Sequence, residues 1–566
     1  MKKLIEPLLI LIIVSFTVLP LFHKGYFPVH DDEQVGRLIE VDIAIKDLQI
    51  PPRWTPNLGF GYGYPLFNFY PPFIYYVGEV FHLGGVGYID SIKIVYFLGF
   101  FLSAYFMYLF GKELFGRGGG FLAAAFYTYA PYKAVDAYVR GSLSEFFSFI
   151  FFPLIFYAFY KKNLILSSVS LAALFLTHNL TALIFFPFLL LYLLFLIIYE
   201  KSKNRIAALK NYLSSIFLAF GLSAYFTLPS LFEKKFTLVD KILTEELADF
   251  RLHFIAARQL VNSPWGYGGS VPGVFDGMSF EVGKLHLILI AFSLIILIIL
   301  ILKKNPKQPL LFLFSIFFTS SLLMTLTVSR PVWEIIQPLW YLQFPWRFLG
   351  PVSFFASILI GSITLIVKNI KFKIILSSFI IFITIIFYKD LFVPQKYVDI
   401  NDSYYNSKMA LQWTVSRMSY EYVPKEVKTT KTLLGTTVPA IAPKDLPKDK
   451  VTFLKGSGEI TKQDIKSQSY NLDLNIKEEA SIRLSNFYFP GWQAALDGQK
   501  VDIDANNDYH LITINNIRPG KHFLSVKFTN TPVRALGNLI TLASIFIIII
   551  LACYKYVHNR SKNHKW

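Results

Sequence analysis

The stretch Leu285-His286-Leu287-Ile288-Leu289-Ile290-Ala291-Phe292-Ser293-Leu294-Ile295-Ile296-Leu297-Ile298-Ile299-Leu300-Ile301-Leu302, closed by Lys303-Lys304, decides the fold class. From 285 to 302 it carries no charged side chain. A helix rises about 1.5 Å per residue, so this block covers roughly the ~30 Å hydrocarbon core of a bilayer. Similar apolar blocks run, within a few residues at each end, over 7–22, 91–110, 118–130, 143–159, 164–177, 180–199, 212–231, 309–326, 349–367, 373–388 and 537–554. The expected fold is a polytopic α-helical membrane protein of about twelve spans.

Composition agrees. The 566 residues are 54% hydrophobic and 16% charged, with a mean hydropathy of +0.47. A soluble chain carries roughly a quarter charged residues. A cytosolic enzyme, a disordered chain and a secreted disulfide scaffold are excluded, the last because Cys553 is the single cysteine. The net charge of +18 invites a nucleic-acid reading. Its distribution argues for topology instead, because Lys and Arg are retained on the cytoplasmic side. With Lys2 and Lys3 inside, alternation places inside Lys112 with Arg117, Lys161 with Lys162, and the group Lys201, Lys203, Arg205 and Lys210. It does the same for Lys303, Lys304 and Lys307, for Lys368, Lys371 and Lys373, and for the tail from Lys555 to Lys565. Both termini are expected in the cytoplasm, with no nucleic-acid partner. Pro20-Leu21-Phe22-His23 offers no small-x-small cleavage site, so the first block reads as an uncleaved span.

This topology divides the chain into a multi-span domain over 1–388, an outer segment over 389–535, and a final span with a basic cytoplasmic tail over 536–566. The first outer loop covers 23–90 and a later one 232–284. Within 389–535 the runs Ser481-Ile482-Arg483-Leu484 and His522-Phe523-Leu524-Ser525-Val526-Lys527-Phe528 alternate with the period of a strand. Turn signals stand at Asp497-Gly498, Asn506-Asn507-Asp508 and Arg518-Pro519-Gly520. They predict an extracytoplasmic β-domain with Trp492 buried in it.

Chemistry-bearing residues collect at the outer ends of the spans. His30-Asp31-Asp32-Glu33 sets adjacent carboxylates at a membrane edge, where they repel unless a cation or a hydrogen bond occupies them. The competing reading is a helix N-terminus, where Asp is favoured by capping and dipole. Leu38, Val41, Ile45 and Leu48 form an apolar stripe opposite Glu33, Arg37, Glu40 and Asp47, which predicts a helix lying on the bilayer. Arg53-Trp54 and the aromatic run containing Tyr64 and Tyr70 form a Gly- and Pro-punctuated loop. That loop can wall a cleft or simply edge the membrane. Arg140 and Glu145 stand five apart, off the i,i+4 register of a helix-surface pair, and so point to a polar cavity. His178 interrupts two apolar blocks and reads as structural or as a ligand. Trp346-Arg347 precedes a span, where Arg can snorkel to lipid phosphate or clamp a bound one.

Taken in order, His30-Asp31-Asp32, Arg53-Trp54, Gly61-Tyr62-Gly63-Tyr64-Pro65 with Tyr70-Pro71-Pro72, Arg140-Gly141 with Glu145, Thr177-His178-Asn179 and Pro345-Trp346-Arg347 resemble the bacterial and archaeal membrane family called "6-pyruvoyl-tetrahydropterin synthase-related". Tyr488-Phe489-Pro490-Gly491-Trp492 with Leu496-Asp497-Gly498 is similar to the outer β-domain of YfhO-like proteins. The family's label names a zinc enzyme, but the ten histidines here show no clustered ligand spacing. The layout resembles the GT-C class of membrane glycosyltransferases, and on that resemblance Asp31 and Asp32 match the acidic motif of the first outer loop. It implies transfer of a sugar from a polyprenyl-phosphate donor to a glycan, lipid or protein acceptor. Asp31 and Asp32 would be catalytic and would be the candidate ligands of a divalent cation, Mg or Mn. His30, Arg53, Trp54, Tyr64, Tyr70, Arg140, Glu145, His178, Trp346 and Arg347 would bind substrate. The alternatives are a lipid or polysaccharide flippase and a non-catalytic envelope assembly protein.

Overall fold

The computed structural model describes residues 2–433 and 435–563; Lys565 of the basic tail lies outside them. Among the described residues nine helices are long and apolar enough to cross a membrane. Every apolar block of the sequence falls on helix. Two blocks merge into Tyr88–Thr128, which is non-helical at Gly116, where φ is +82°. There the chain doubles back, bringing the Tyr108 and Phe121 rings to 4.3 Å and Gly111 against Gly120. Two further blocks, Leu164–Thr177 and Gln308–Met324, are shorter apolar helices.

The connections segregate to two ends of the bundle. At one end Lys112 meets Glu6 at 2.7 Å, Lys161 meets Glu113 at 3.1 Å, and Lys162 pairs with Glu200. These are the short basic loops that alternation groups together. At the other end the long segments join: Tyr26 bridges Val398, Thr237 bridges Pro424, and Ile255 bridges Leu326.

A six-stranded antiparallel sheet closes that second end. After a short ribbon of β1 (Thr429–Lys431) and β2 (Thr437–Pro439) come β3 (Val451–Lys466), β4 (Ser469–Phe487), β5 (Trp492–Leu496), β6 (Gln499–Val501), β7 (Leu511–Ile517) and β8 (Gly520–Phe528). The order is β3-β4-β8-β5-β6, with β7 paired to the far half of β4. Asp497-Gly498 forms the two-residue β5–β6 turn with both φ angles positive, the conformation for which Asp-Gly is suited. Trp492 is buried, though not by strands alone: its ring meets Phe528 at 5.4 Å and Trp54 of the first loop at 5.1 Å. Strands of the sheet occupy only 451–528, while 389–450 meets the first loop with short helical turns and carries the β1–β2 ribbon.

The bilayer-surface helix expected over Glu33–Leu48 is corrected. The helix Gln34–Lys46 is buried on both faces, Arg37, Glu40 and Asp42 included. Helix Phe73–Leu83 covers it through Gly78, which lies against Leu38. The 389–450 segment covers it through Val415 and Leu411 at Gly36, where a Cβ would come within 2.9 Å of Val415. Periodicity identified the helix but not the second partner on its polar side.

Candidate functional site

The Gly141 backbone sets the site. Its φ is +67°, and a Cβ there would meet Val29 at 2.2 Å, so only glycine lets the two chain segments touch. They then bond through the backbone: His30 N–H donates to Val139 O at 3.2 Å and Asp31 N–H to Arg140 O at 2.8 Å. Asp31 is thereby held beside Arg140 at the end of a π-helical turn, Val135–Arg140. Gln34 Nε2 clamps the junction, donating to Asp31 O and Gly141 O at 3.2 Å each.

A cavity of about 480 Å³ opens over this junction, within the ~300–1,000 Å³ range of small-molecule sites. Of the residues expected in a site, His30, Asp31, Tyr70, Arg140, His178, Trp346 and Arg347 line it. Glu145 stands behind the wall as its electrostatic anchor. It lies 2.9 Å from Arg140 Nη1 and 3.4 Å from Arg347 Nε, and accepts a 2.6 Å bond from Tyr132 OH. The five-residue spacing had argued against an internal Arg140–Glu145 pair. That inference is corrected, because the π-turn and the left-handed Gly141 break the helix between them. Asp136 is a second carboxyl group on Arg140, and Trp346 covers the guanidinium at 4.8 Å. Burial opposes charge on Arg140, yet Glu145 and Asp136 hold it protonated, above its ordinary value.

Arg347 differs from Arg140. It is 8% exposed, and its Nε and Nη1 have no hydrogen-bond partner. The Glu145 carboxylate stands 3.4 Å from Nε, an ion pair that makes no hydrogen bond. Both nitrogens are themselves buried, so Arg347 brings a guanidinium with unmade hydrogen bonds to the cavity wall.

His178 serves both readings. Its Nδ1 accepts from Thr181 N–H at 3.3 Å, capping the helix Asn179–Ile198, while its ring borders the cavity. Burial, against the pull of Glu145, lowers its basicity to about 3, so it is neutral at physiological pH.

Four expected residues stand elsewhere. Asp32 does not line the cavity; it accepts a 2.8 Å bond from Tyr405 OH, and burial pushes its carboxyl up to about 6. The helix-cap reading also fails, since the N-cap of Gln34–Lys46 is Glu33 and makes no side-chain capping bond. Arg53 does not line the cavity; it donates to Asn68 and to Asn538 of the last helix at 2.8 Å each. Trp54 is buried against the sheet, and Tyr64 OH pairs with Ser419 Oγ at 2.9 Å. A cation held jointly by Asp31 and Asp32 is not supported by this geometry. Among the described residues no group of three or more His, Cys, Asp or Glu is gathered for a metal.

The cavity also contains groups that the sequence did not mark as a site. Glu33 and Arg37 pair at 3.1 Å, and Arg37 stacks on Tyr70 at 3.8 Å. Burial pushes the Glu33 carboxyl up against the pull of Arg37, helped by Asp31 and Glu421. Glu421 arrives from the 389–450 segment, and burial raises it to about 7. Ser270, from the glycine-rich loop, accepts from Trp346 Nε1 at 3.2 Å, and His30 Nε2 lies 3.0 Å from Tyr267 O of the same loop. The long reach from Glu33 to Glu421 left no local signal for this convergence.

No protein-family model matches the chain. A protein of Lactococcus lactis subsp. cremoris (strain MG1363), described as uncharacterized, is 29% identical over 239 residues. The match takes in 40% of this chain and 39% of that protein's length.

Proposed function

We propose that the protein is a membrane glycosyltransferase of the GT-C type, moving a sugar from a polyprenyl-phosphate donor to an envelope acceptor on the outer face of the cytoplasmic membrane. The observation that carries the reading is the meeting, in one cavity, of a carboxylate, Asp31, with an arginine whose Nε and Nη1 are unbonded, Arg347. The sequence resemblance to GT-C enzymes supports the same assignment. So does the cavity's place at the end of the bundle where the long loops gather, the end that the distribution of Lys and Arg puts outside.

In this reading the acceptor hydroxyl gives its proton to Asp31 as its oxygen attacks the anomeric carbon from the face opposite the phosphate. The bond from that carbon to the phosphate oxygen breaks, and the lipid phosphate leaves with the electron pair. Arg347 stabilises the growing negative charge with its guanidinium at the cavity wall. Arg140, tied to Asp136 and Glu145, positions the Asp31 backbone and the Trp346 ring. A nucleotide sugar of the cytoplasm does not reach an outer-face site, whereas a lipid donor arrives through the bilayer. The topology that goes with it has about twelve spans and both termini cytoplasmic. No step runs through a divalent cation.

The test uses purified full-length protein in liposomes with a panel of polyprenyl-phosphate sugars, following free polyprenyl phosphate and glycosidic product. The reading requires both to appear together for at least one donor. Movement of lipid between leaflets with no glycosidic bond made or broken would establish the flippase alternative instead.

A further inference from the structure

On the side of the first loop away from the candidate site, an apolar groove of about 540 Å³ runs between that loop and the last helix. Val80 and Leu83, with the buried carboxyl group of Glu79 beside them, form one wall, and Tyr225, Asn538, Thr541 and Leu542 the other. Helices Arg205–Phe232 and Pro532–Asn563 approach closely here because Gly221 and Gly537 have no side chain to hold them apart. Ile50 and Pro51 border the groove and also border a second, polar pocket of about 350 Å³, so the two adjoin. Arg53, Gln468, Thr529 and Asn530 line that pocket.

The pair of cavities therefore follows the last helix from its approach at Thr529 and Asn530 into the apolar span at Leu542. The ten helical steps from Pro532 to Leu542 cover about 15 Å at 1.5 Å each. A polar chamber at the head and an apolar channel below it suit an amphiphile lying across the membrane boundary.

Charge selects the headgroup. Arg53 is buried, and its bonds go to neutral oxygens: Asn68, Asn538 and the Tyr225 carbonyl. The nearby carboxylate, Glu233, is taken by Arg534 at 2.9 Å. Arg53 feels Glu233 only at longer range, and among the described residues it makes no ion pair. Burial and the neighbouring Arg534 lower its affinity for its proton, to about 10, against the weaker pull of Glu233.

We propose that this double cavity binds one anionic phospholipid, its acyl chain in the groove along Leu542 and its phosphate beside Arg53. The site is separate from the cavity of Asp31 and Arg347 and does not depend on the reaction proposed there.

Full-length protein in phosphatidylcholine vesicles is exposed to phosphatidylglycerol carrying a diazirine in one acyl chain, or to a diacylglycerol with the same chain. Cross-linked residues are then mapped by mass spectrometry. Phosphatidylglycerol should label Val80, Leu83 and Leu542 about tenfold more than diacylglycerol, the factor expected for one charge-assisted hydrogen bond. Arg53→Gln should bring the two probes level. Leu542→Trp fills the groove from a side chain that is 65% exposed, so it should lower both without touching the core. Arg347→Lys should leave the labelling unchanged. Equal labelling of the wild type by both probes would overturn the assignment. So would labelling of Phe379 and Phe382, exposed on the helix Ile370–Tyr388, as strong as that of the groove.

Discussion

Arg347 Nε lies 3.4 Å from Glu145 Oε2, close enough to share charge and yet without a hydrogen bond. The carboxylate sets a negative charge beside the guanidinium in a nearly closed wall, where Nε and Nη1 are buried and make no hydrogen bond. Glu145 also pairs with Arg140, so one buried carboxylate faces both arginines.

Removing that anion should unfold more than it inactivates. Glu145→Gln keeps shape but leaves Arg140 and Arg347 short of a counter-charge, and breaking a buried pair this way costs about 3–5 kcal/mol. A clear drop in melting temperature in detergent is expected. An unchanged melting temperature would show that Asp136 alone holds Arg140.

The first loop and the sheet should fail together. Trp54 is fully buried against Trp492 and Phe528, and a large-to-small change at such a site costs about 3–5 kcal/mol. Trp54→Ala should therefore lower the melting temperature and make Trp492 fluoresce as a solvated indole. A sheet that keeps a buried Trp492 in this variant would be independent of the loop.

Glu40 should make stability depend on pH. It is buried, accepts from Asn57 N–H at 3.2 Å, and burial raises it to about 7. Between its ordinary value and about 7 the folded chain holds a proton that the unfolded chain has released. Stability should fall as pH rises through that window and level off above it. Glu40→Gln keeps the acceptor and removes the titration. It should match wild type near pH 4.5 and exceed it by about 1–3 kcal/mol at pH 8. Parallel melting curves for the two proteins from pH 4.5 to 8 would contradict this.

Topology has its own check. Ser457→Cys in a Cys553→Ser background should react with a membrane-impermeant maleimide on intact cells, since Ser457 lies in β3 of the sheet. Reaction only after lysis would place the sheet, and with it the Asp31 cavity, in the cytoplasm.

The helices were legible because a bilayer-length apolar block needs no partner to be recognised, as 285–302 shows. The strands around Asp497-Gly498 were legible for a similar local reason. The buried helix Gln34–Lys46 was misplaced because its polar face is covered by Val415 and Leu411, some 375 residues away by number. Asp31 and Asp32 looked equivalent as neighbours, yet the backbone bond of Asp31 to Arg140 and the bond of Asp32 to Tyr405 send them to different environments. Arg140 and Glu145 were identified, but their pairing was hidden by a π-turn that spacing cannot show.

That division of the acidic pair gives the most direct measurement: turnover of an accepted polyprenyl-phosphate sugar by Asp31→Asn and Asp32→Asn, at equal folded protein. Loss of a positioned general base costs about 10²–10⁴ in rate. Asp31→Asn should fall by that factor, while Asp32→Asn, which keeps an acceptor for Tyr405, should stay within about threefold of wild type. Arg347→Lys, keeping charge but not the planar fork, should fall in between. Wild-type turnover in Asp31→Asn, or a collapse in Asp32→Asn alone, would contradict the assignment of Asp31 as the base.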